Sequence, residues 1–376
     1  MDAPIVSVIP GVDSCAWSPT HDTIGVVCSG IVRLMRVCFN GGTWSNSVPT
    51  HAVSRFEWAC NGKKFATLHA GTECVRVWDT FAVCTIHEIE NAIAFTWNPF
   101  DADVAAYNKR TAVSSQCRSL RFWNGGTVKE RLEGLANWDS FLWPCKGLIM
   151  GTVDRPAGGG GKNTSAIDQL ECYPELLTFP GLSWPPLCVG ERDSDVYWAP
   201  DGSGRCLVVN IDGTVTLTRI GLGAPSCVVQ AAFASGKGGR TRVAWSLDSA
   251  RFFVQEEVRE SLDIYIAGHL RPSAFGWTRV RAFRGICFNT VWHPDSCRIA
   301  FSLRDPPANN TVFIFNTITM NFTQSFRVPA HLWDKSCSPS VAVPTLGWSH
   351  DGSFFSVHRQ DGDRKLFVFH QVPPSK

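Results

Sequence analysis

Tryptophan recurs along this chain at a nearly constant interval and in constant company. Trp17, Trp58, Trp97, Trp143, Trp198, Trp245, Trp292 and Trp348 stand 41, 39, 46, 55, 47, 47 and 56 residues apart. Each closes a short apolar run, and a Pro or an Asp-Gly-like pair follows. Val-Tyr-Trp198-Ala-Pro-Asp-Gly, Val-Ala-Trp245-Ser-Leu-Asp-Ser and Leu-Gly-Trp348-Ser-His-Asp-Gly show the pattern. A period of that size lies at or somewhat above the roughly 40–45 residues of a four-stranded propeller blade.

The units share an internal order. In the second, apolar runs at 55–58, 65–68 and 75–79 are separated by turn residues; in the fifth, they fall at 196–198, 206–209 and 214–217. Alternation of apolar and polar residues, rich in Val, Ile, Phe and Trp, predicts half-buried antiparallel strands. Asp-Gly and Asn-Gly supply the positive-φ positions of tight hairpins. No stretch of a dozen residues holds helical apolar spacing with a cap at each end, and 22 Pro and 32 Gly interrupt the chain. With 44% hydrophobic and 18% charged residues, the 376-residue chain can bury a large core. The expectation is an all-β, closed β-propeller occupying 1–376 as one domain, with eight four-stranded antiparallel blades, or seven if the degenerate fourth unit is not a blade. The last unit supplies only three strands before the chain stops, so the strand-like run at 4–9 is expected to complete it and close the ring.

These residues resemble the WD-repeat β-propeller family over 12–369. The terminal Trp-Asp of that family survives clearly at Trp78-Asp79, with Phe-Trp123-Asn as a near relative. The Gly-His dipeptide that opens a regular unit is missing, and with it the expected Asp-His-Ser-Trp relay. The resemblance implies a non-enzymatic scaffold holding other proteins of a larger complex, with no cofactor. Arg304-Asp305-Pro306-Pro307 and the residues after it in the last two units weakly resemble centrosomal and spindle-pole WD-repeat proteins, and more faintly nuclear-pore and translation-initiation-factor propellers.

Other features narrow the chemistry. A formal charge of +2 argues against a whole-molecule electrostatic partner such as duplex DNA or an anionic membrane. The first ten residues lack the basic and apolar pattern of an export signal, and no run of about 18 apolar residues occurs. A cytoplasmic protein is expected, with cytoskeletal, centrosomal or nuclear placement left open and no membrane insertion. Fifteen scattered cysteines contain no Cys-x-x-Cys pair and read as small buried hydrophobes rather than metal ligands. Ala157-Gly158-Gly159-Gly160-Gly161-Lys162-Asn163-Thr164 fails the phosphate-loop pattern at Pro156 and Asn163, and reads as a linker. The histidines form no constellation with metal spacing, and neither a catalytic motif nor a small-molecule site is evident.

Two groups of candidate partner-binding residues remain. Lys237, Arg240, Arg242, Arg271, Arg279, Arg281 and Arg284, interleaved with Phe275, Trp277 and Phe283, form the one basic concentration. Arg beside aromatic rings suits phosphate contact with base stacking, which makes RNA the rival partner class. Glu256, Glu257, Glu260 and Asp263 dilute that field. Trp184 and Trp333 lie in the long insertions 173–192 and 328–344, which are expected to dock proteins.

Overall fold

The structure is a computed structural model that describes residues 4–38, 40–110, 118–125, 127–132, 141–145, 148–156, 170–178, 187–188, 194–220, 227–233, 241–256, 259–267, 277–284, 286–303, 311–327, 345–358 and 364–371. These residues contain strands and turns and no helix. They build eight four-stranded antiparallel sheets, numbered here in chain order.

The first strands of the sheets are Ser14–Trp17, Val53–Trp58, Ala92–Asn98, Phe141–Cys145, Asp195–Trp198, Thr241–Trp245, Ile286–Trp292 and Thr345–Trp348. Every periodic tryptophan therefore sits at or near the end of a first strand. These strands also touch one another from sheet to sheet: first to second, second to third, third to fourth, fifth to sixth, sixth to seventh, seventh to eighth, and eighth back to first. The eighth sheet gains its fourth strand from the other end of the chain. Ile5–Ile9 pairs antiparallel with Leu366–His370, Val8 opposite Phe367 and Ile9 opposite Leu366.

Apolar layers fill the spaces between sheets, which explains why middle strands are buried on both faces. Phe354–His358 is buried along its whole length, whereas the outermost Thr85–Ile89 is mostly wet. Val27, Leu34, Trp58, Phe65 and Trp78 join the first sheet to the second. Leu207, Leu217, Trp245 and Phe252 join the fifth to the sixth. Phe326, Trp348, Phe355 and Phe367 join the seventh to the eighth. Each such side chain removed from water is worth about 1.5–3 kcal/mol.

The tryptophans add a directed bond to this packing. The indole N–H of Trp58 donates to the Ala16 carbonyl at 3.1 Å, Trp97 to Glu57 at 3.2 Å, Trp245 to Tyr197 at 2.9 Å and Trp292 to Ala244 at 3.0 Å. In every case the acceptor is the residue immediately before the preceding sheet's tryptophan. Trp17 keeps the rule through an inserted hydroxyl: it donates to Ser356 Oγ at 2.9 Å, which donates to the Gly347 carbonyl at 3.3 Å. Among the described residues the indole N–H groups of Trp198 and Trp348 have no partner. A ring large enough to span two sheets and carrying one donor is what this joint requires, and tryptophan is the residue that combines both.

The second sheet holds a relay that the missing Gly-His dipeptide argued against, built from other residues. Trp78 Nε1 donates to Thr67 Oγ1 at 2.9 Å, Thr67 Oγ1 meets His69 Nε2 at 2.9 Å, and His69 Nδ1 lies 2.8 Å from the His51 carbonyl. A backbone carbonyl stands at the end of the chain of bonds. His358, at the matching position of the eighth sheet, reaches the Val12 carbonyl at 2.9 Å. Burial lowers the pKa of both imidazoles.

The outermost strands share a single defect. In Gly41–Ser47, Thr85–Ile89, Thr127–Leu132, Cys227–Phe233, Trp277–Arg284, Asn321–Arg327 and Ile5–Ile9 the register skips one residue against the neighbouring strand. A one-residue bulge bends and twists an edge, which blunts its capacity to pair with another chain.

Candidate interaction face

In an antiparallel four-stranded sheet the first-to-second and third-to-fourth turns leave at the same end. At that end the sequence after each first-strand tryptophan repeats, and so does its geometry. Gly62, Gly202, Ser249, Ser296 and Gly352 hold corresponding positive-φ positions, with φ of 65°, 67°, 55°, 62° and 76°. Each returns its N–H to the carbonyl three residues back, in Ala59, Ala199, Ser246, His293 and Ser349. The Asn or Asp before it accepts the backbone N–H two residues on: Asn61 from Lys63, Asp201 from Ser203, Asp248 from Ala250, Asp295 from Cys297 and Asp351 from Ser353, at 2.8–3.0 Å. Such side-chain turns fix a loop without a packed core.

The turns are also tied to one another. Ser249 Oγ accepts from Asp201 N at 3.0 Å, and Ser296 Oγ from Asp248 N at 2.9 Å. A serine in the left-handed region is strained relative to glycine, and here its hydroxyl makes the bond that glycine lacks. Arg205 and Arg251 pair with Asp201 and Asp248 at 2.6 and 2.9 Å, and reach on to the Ser249 and Ser296 carbonyls at 3.2 Å. Arg298 pairs with Asp295 at 2.6 Å. That pair and hydrogen bonds from His293 and Cys297 hold the Asp295 carboxyl well below the usual carboxylate range despite its burial. In the eighth sheet the space beside Gly352 is filled by the His293 imidazole: a Cβ there would lie 2.1 Å from Nε2.

Large apolar side chains stand out from this stiffened end. Phe81 is 68% exposed and Ile318 62%, both in third-to-fourth turns, and Leu247 is 60% exposed in a first-to-second turn. Beside Phe81 opens a cleft of about 480 Å³ lined by Thr20, His21, Asp22, Arg36, Thr80 and His350, among others. Phe81 meets the His21 ring edge-on at 5.6 Å. Burial, followed by the charge of Asp351, raises the pKa of Asp22.

The residues singled out from sequence fall elsewhere. Trp184, Trp333, Lys237, Arg240 and Arg271 lie outside the described residues, as does the run 157–164. Trp277 is half-buried and packs against Trp245 at 5.6 Å and Phe252 at 4.8 Å, so it belongs to the layer between the fifth and sixth sheets. Arg242 is half-buried on Thr241–Trp245. Arg279, Arg281 and Arg284 are exposed on the outermost strand Trp277–Arg284. They do not form one platform, because the bulge after Arg279 leaves Val280 without a register partner. Arg279 pairs opposite Tyr265, which packs toward the fifth sheet, and Arg281 opposite Ile264, which packs toward the seventh. Arg279 also meets Asp263 at 3.7 Å, while Arg281 lies over the Phe283 ring at 5.4 Å. The turn network was missed in sequence, although the recurring Asp three residues after Trp198, Trp245, Trp292 and Trp348 announces it.

The strand order, the outer bulges and the tryptophan joints define the fold: a β-propeller of four-stranded antiparallel sheets. Solved structures agree on the fold. The C-terminal WD40 domain of Sif2 superposes with a TM-score of 0.64 at 14% identity, covering 99% of both chains. A eukaryotic initiation factor gives 0.59 at 12% identity, over 98% of this chain and 88% of that one. The β-propeller domain of Cps50 (Swd1) from Myceliophteria thermophila gives 0.52 at 9% identity, over 87% of this chain and 99% of that one. No family model and no curated protein matches the sequence. Among the described residues no helix is long and apolar enough to cross a membrane.

Proposed function

We propose that the protein is a non-enzymatic scaffold that holds other proteins of a larger assembly. The observation that carries this reading is the turn end of the sheets, where Leu247 stands exposed on a turn held by an inter-sheet bond, and Phe81 and Ile318 stand exposed on turns fixed by the Asp79 and Asn316 side chains. Rigid presentation of apolar groups lowers the entropy cost of binding. Within this reading the assembly is a cytoplasmic one of the microtubule-organising kind, on the resemblance of the last two repeats. Trp184 and Trp333 remain proposed contacts from their sequence setting.

The test compares the tagged full chain, recovered from its own cells, with a Phe81→Asp/Leu247→Asp/Ile318→Asp variant of unchanged circular dichroism. Loss of a reproducible partner set in the variant supports the face. The same set on both proteins refutes the face, and the absence of any reproducible partner refutes the scaffold. A second reading, RNA association, rests on the exposed Arg279, Arg281 and Arg284 of one edge strand. Salt-sensitive RNA binding that is lost on changing all three to Glu supports it; absence of RNA affinity at low salt removes it.

A further inference from the structure

Away from the turn end, a group of phenylalanines reaches the rim between the sixth and seventh sheets. Phe301 and Phe315 form its buried floor, Phe283 and Phe313 are half-buried, and Phe322 stands 54% exposed at the lip. Phe322 nonetheless meets all four other rings, with centroids 5.5–6.1 Å apart. The group continues the apolar layer between these two sheets. Phe283 and Phe322 come from the outermost strands, Trp277–Arg284 and Asn321–Arg327, so the layer ends in a notch that water reaches.

Charge is the second feature of this rim. Neither outermost strand contains an Asp or Glu, while together they carry Arg279, Arg281, Arg284 and Arg327. The register sorts the four. Arg281 and Phe283 stand opposite Ile264 and Leu262, which pack toward the seventh sheet. Arg327 stands opposite Thr311, which by strand alternation shares its face with Phe313 and Phe315. Arg279 and Arg284, opposite Tyr265 and Ser261, belong to the face toward the fifth sheet. Two arginines thus flank the phenylalanines, one from each sheet. Arg281 lies over the Phe283 ring at 5.4 Å, and among the described residues neither Arg281 nor Arg327 has a carboxylate partner. Arginine and aromatic rings without acidic neighbours are the composition that protein interfaces concentrate.

We propose that this rim notch binds an acidic peptide segment of a partner protein, with an apolar side chain seated against Phe322 and Phe283 and neighbouring carboxylates paired with Arg281 and Arg327. This rests on the scaffold reading and adds to it a second site, on the rim rather than the turn end. A guanidinium stacked on a ring keeps its fork of N–H donors free for a carboxylate. A nucleic-acid strand fits less well, because it is held by a track of cations and a succession of stacking rings. Here one ring is largely exposed, and Arg279 and Arg284 face away from it.

The probes are fluorescent peptides with a central phenylalanine, leucine or tryptophan among glutamates, their glutamine counterparts, and a uridine oligomer, each titrated with the full chain and read by anisotropy. Glutamate peptides are expected to bind, and their glutamine counterparts about tenfold or more weakly, the value of one hydrogen bond between charged groups. Arg281→Glu with Arg327→Glu should weaken the glutamate peptides by at least as much, and Phe322→Ala should weaken both kinds. Arg279→Glu with Arg284→Glu makes the same charge change on the opposite face and should leave affinity within about twofold. Should Phe322→Ala fail to fold, the exposed arginine pairs decide. No binding of any glutamate peptide at millimolar concentration, equal loss in the two arginine pairs, or binding of the uridine oligomer alone overturns the proposal. None of these results touches the scaffold reading, which stands or falls on the partner set recovered with the full chain.

Discussion

Replacing Trp245 with phenylalanine removes the donor that ties the sixth sheet to the fifth. Trp348 is its natural control. Both rings are 7% exposed, both pack on neighbouring aromatic rings, and only Trp245 has a partner for its indole nitrogen. Trp348→Phe therefore costs the packing lost with the smaller ring, offset by relief of an unsatisfied N–H. Trp245→Phe costs the same packing plus the hydrogen bond, about 0.5–1.5 kcal/mol net, and up to about 3 kcal/mol if the Tyr197 carbonyl is left without water. The expected difference is thus about 1–3 kcal/mol, with Trp245→Phe the less stable. Urea unfolding followed by circular dichroism measures it, provided both variants keep the m-value of the unmodified protein, so that the shift in midpoint reports stability. Equal losses within about 0.5 kcal/mol, the usual limit of such comparisons, would refute the claim that the periodic tryptophans work as hydrogen-bonded joints.

Other outcomes follow from the same structure. Gly352→Ala should destabilise by about 2–4 kcal/mol, read by thermal unfolding, because it combines a left-handed φ with a clash against His293; an unchanged midpoint would mean the turn is free to shift. His69 and His358 have lowered pKa values, so the unfolded chain binds protons near pH 6.5 that the folded chain refuses. Stability should fall as pH drops from 7 toward 5, by at most about 2.7 kcal/mol per pH unit for two groups, and His69→Gln with His358→Gln should flatten that slope. Burial raises the pKa of Glu57 despite hydrogen bonds from Thr96 and Trp97, so its ionised form opposes folding. Glu57→Gln should stabilise the protein at pH 7, with the gain vanishing as pH falls below about 4.5, the ordinary carboxyl range; urea midpoints across that range decide it.

The propeller was legible in the sequence because a tryptophan at the end of each first strand is both abundant and periodic, and because Asp-Gly-like pairs mark the hairpins. The one-strand deficit of the last unit likewise pointed to residues 4–9. The acceptors of the tryptophan bonds were not legible, since they are backbone carbonyls of Ala16, Glu57, Tyr197 and Ala244 and leave no residue signature. How Arg279, Arg281 and Arg284 divide between faces was not legible, because the one-residue bulge at Val280 that turns Arg279 and Arg281 to opposite faces leaves no sequence mark. The relay of Trp78, Thr67 and His69 escaped a search for Gly-His because its histidine comes from the strand itself. Asp22 and His350 are joined only by the return of the chain to its starting sheet.

That return has a temporal side. Ile5–Ile9 is synthesised long before its partner Leu366–His370. At translation rates of about 5–20 residues per second, an apolar strand waits roughly 20–70 s for its mate. During that interval Ile-Val-Ser-Val-Ile is an unclaimed edge-former, attractive to chaperones and to the matching strands of other nascent copies. Completion of the last sheet is thus a checkpoint that only a chain synthesised through Leu366–His370 can pass.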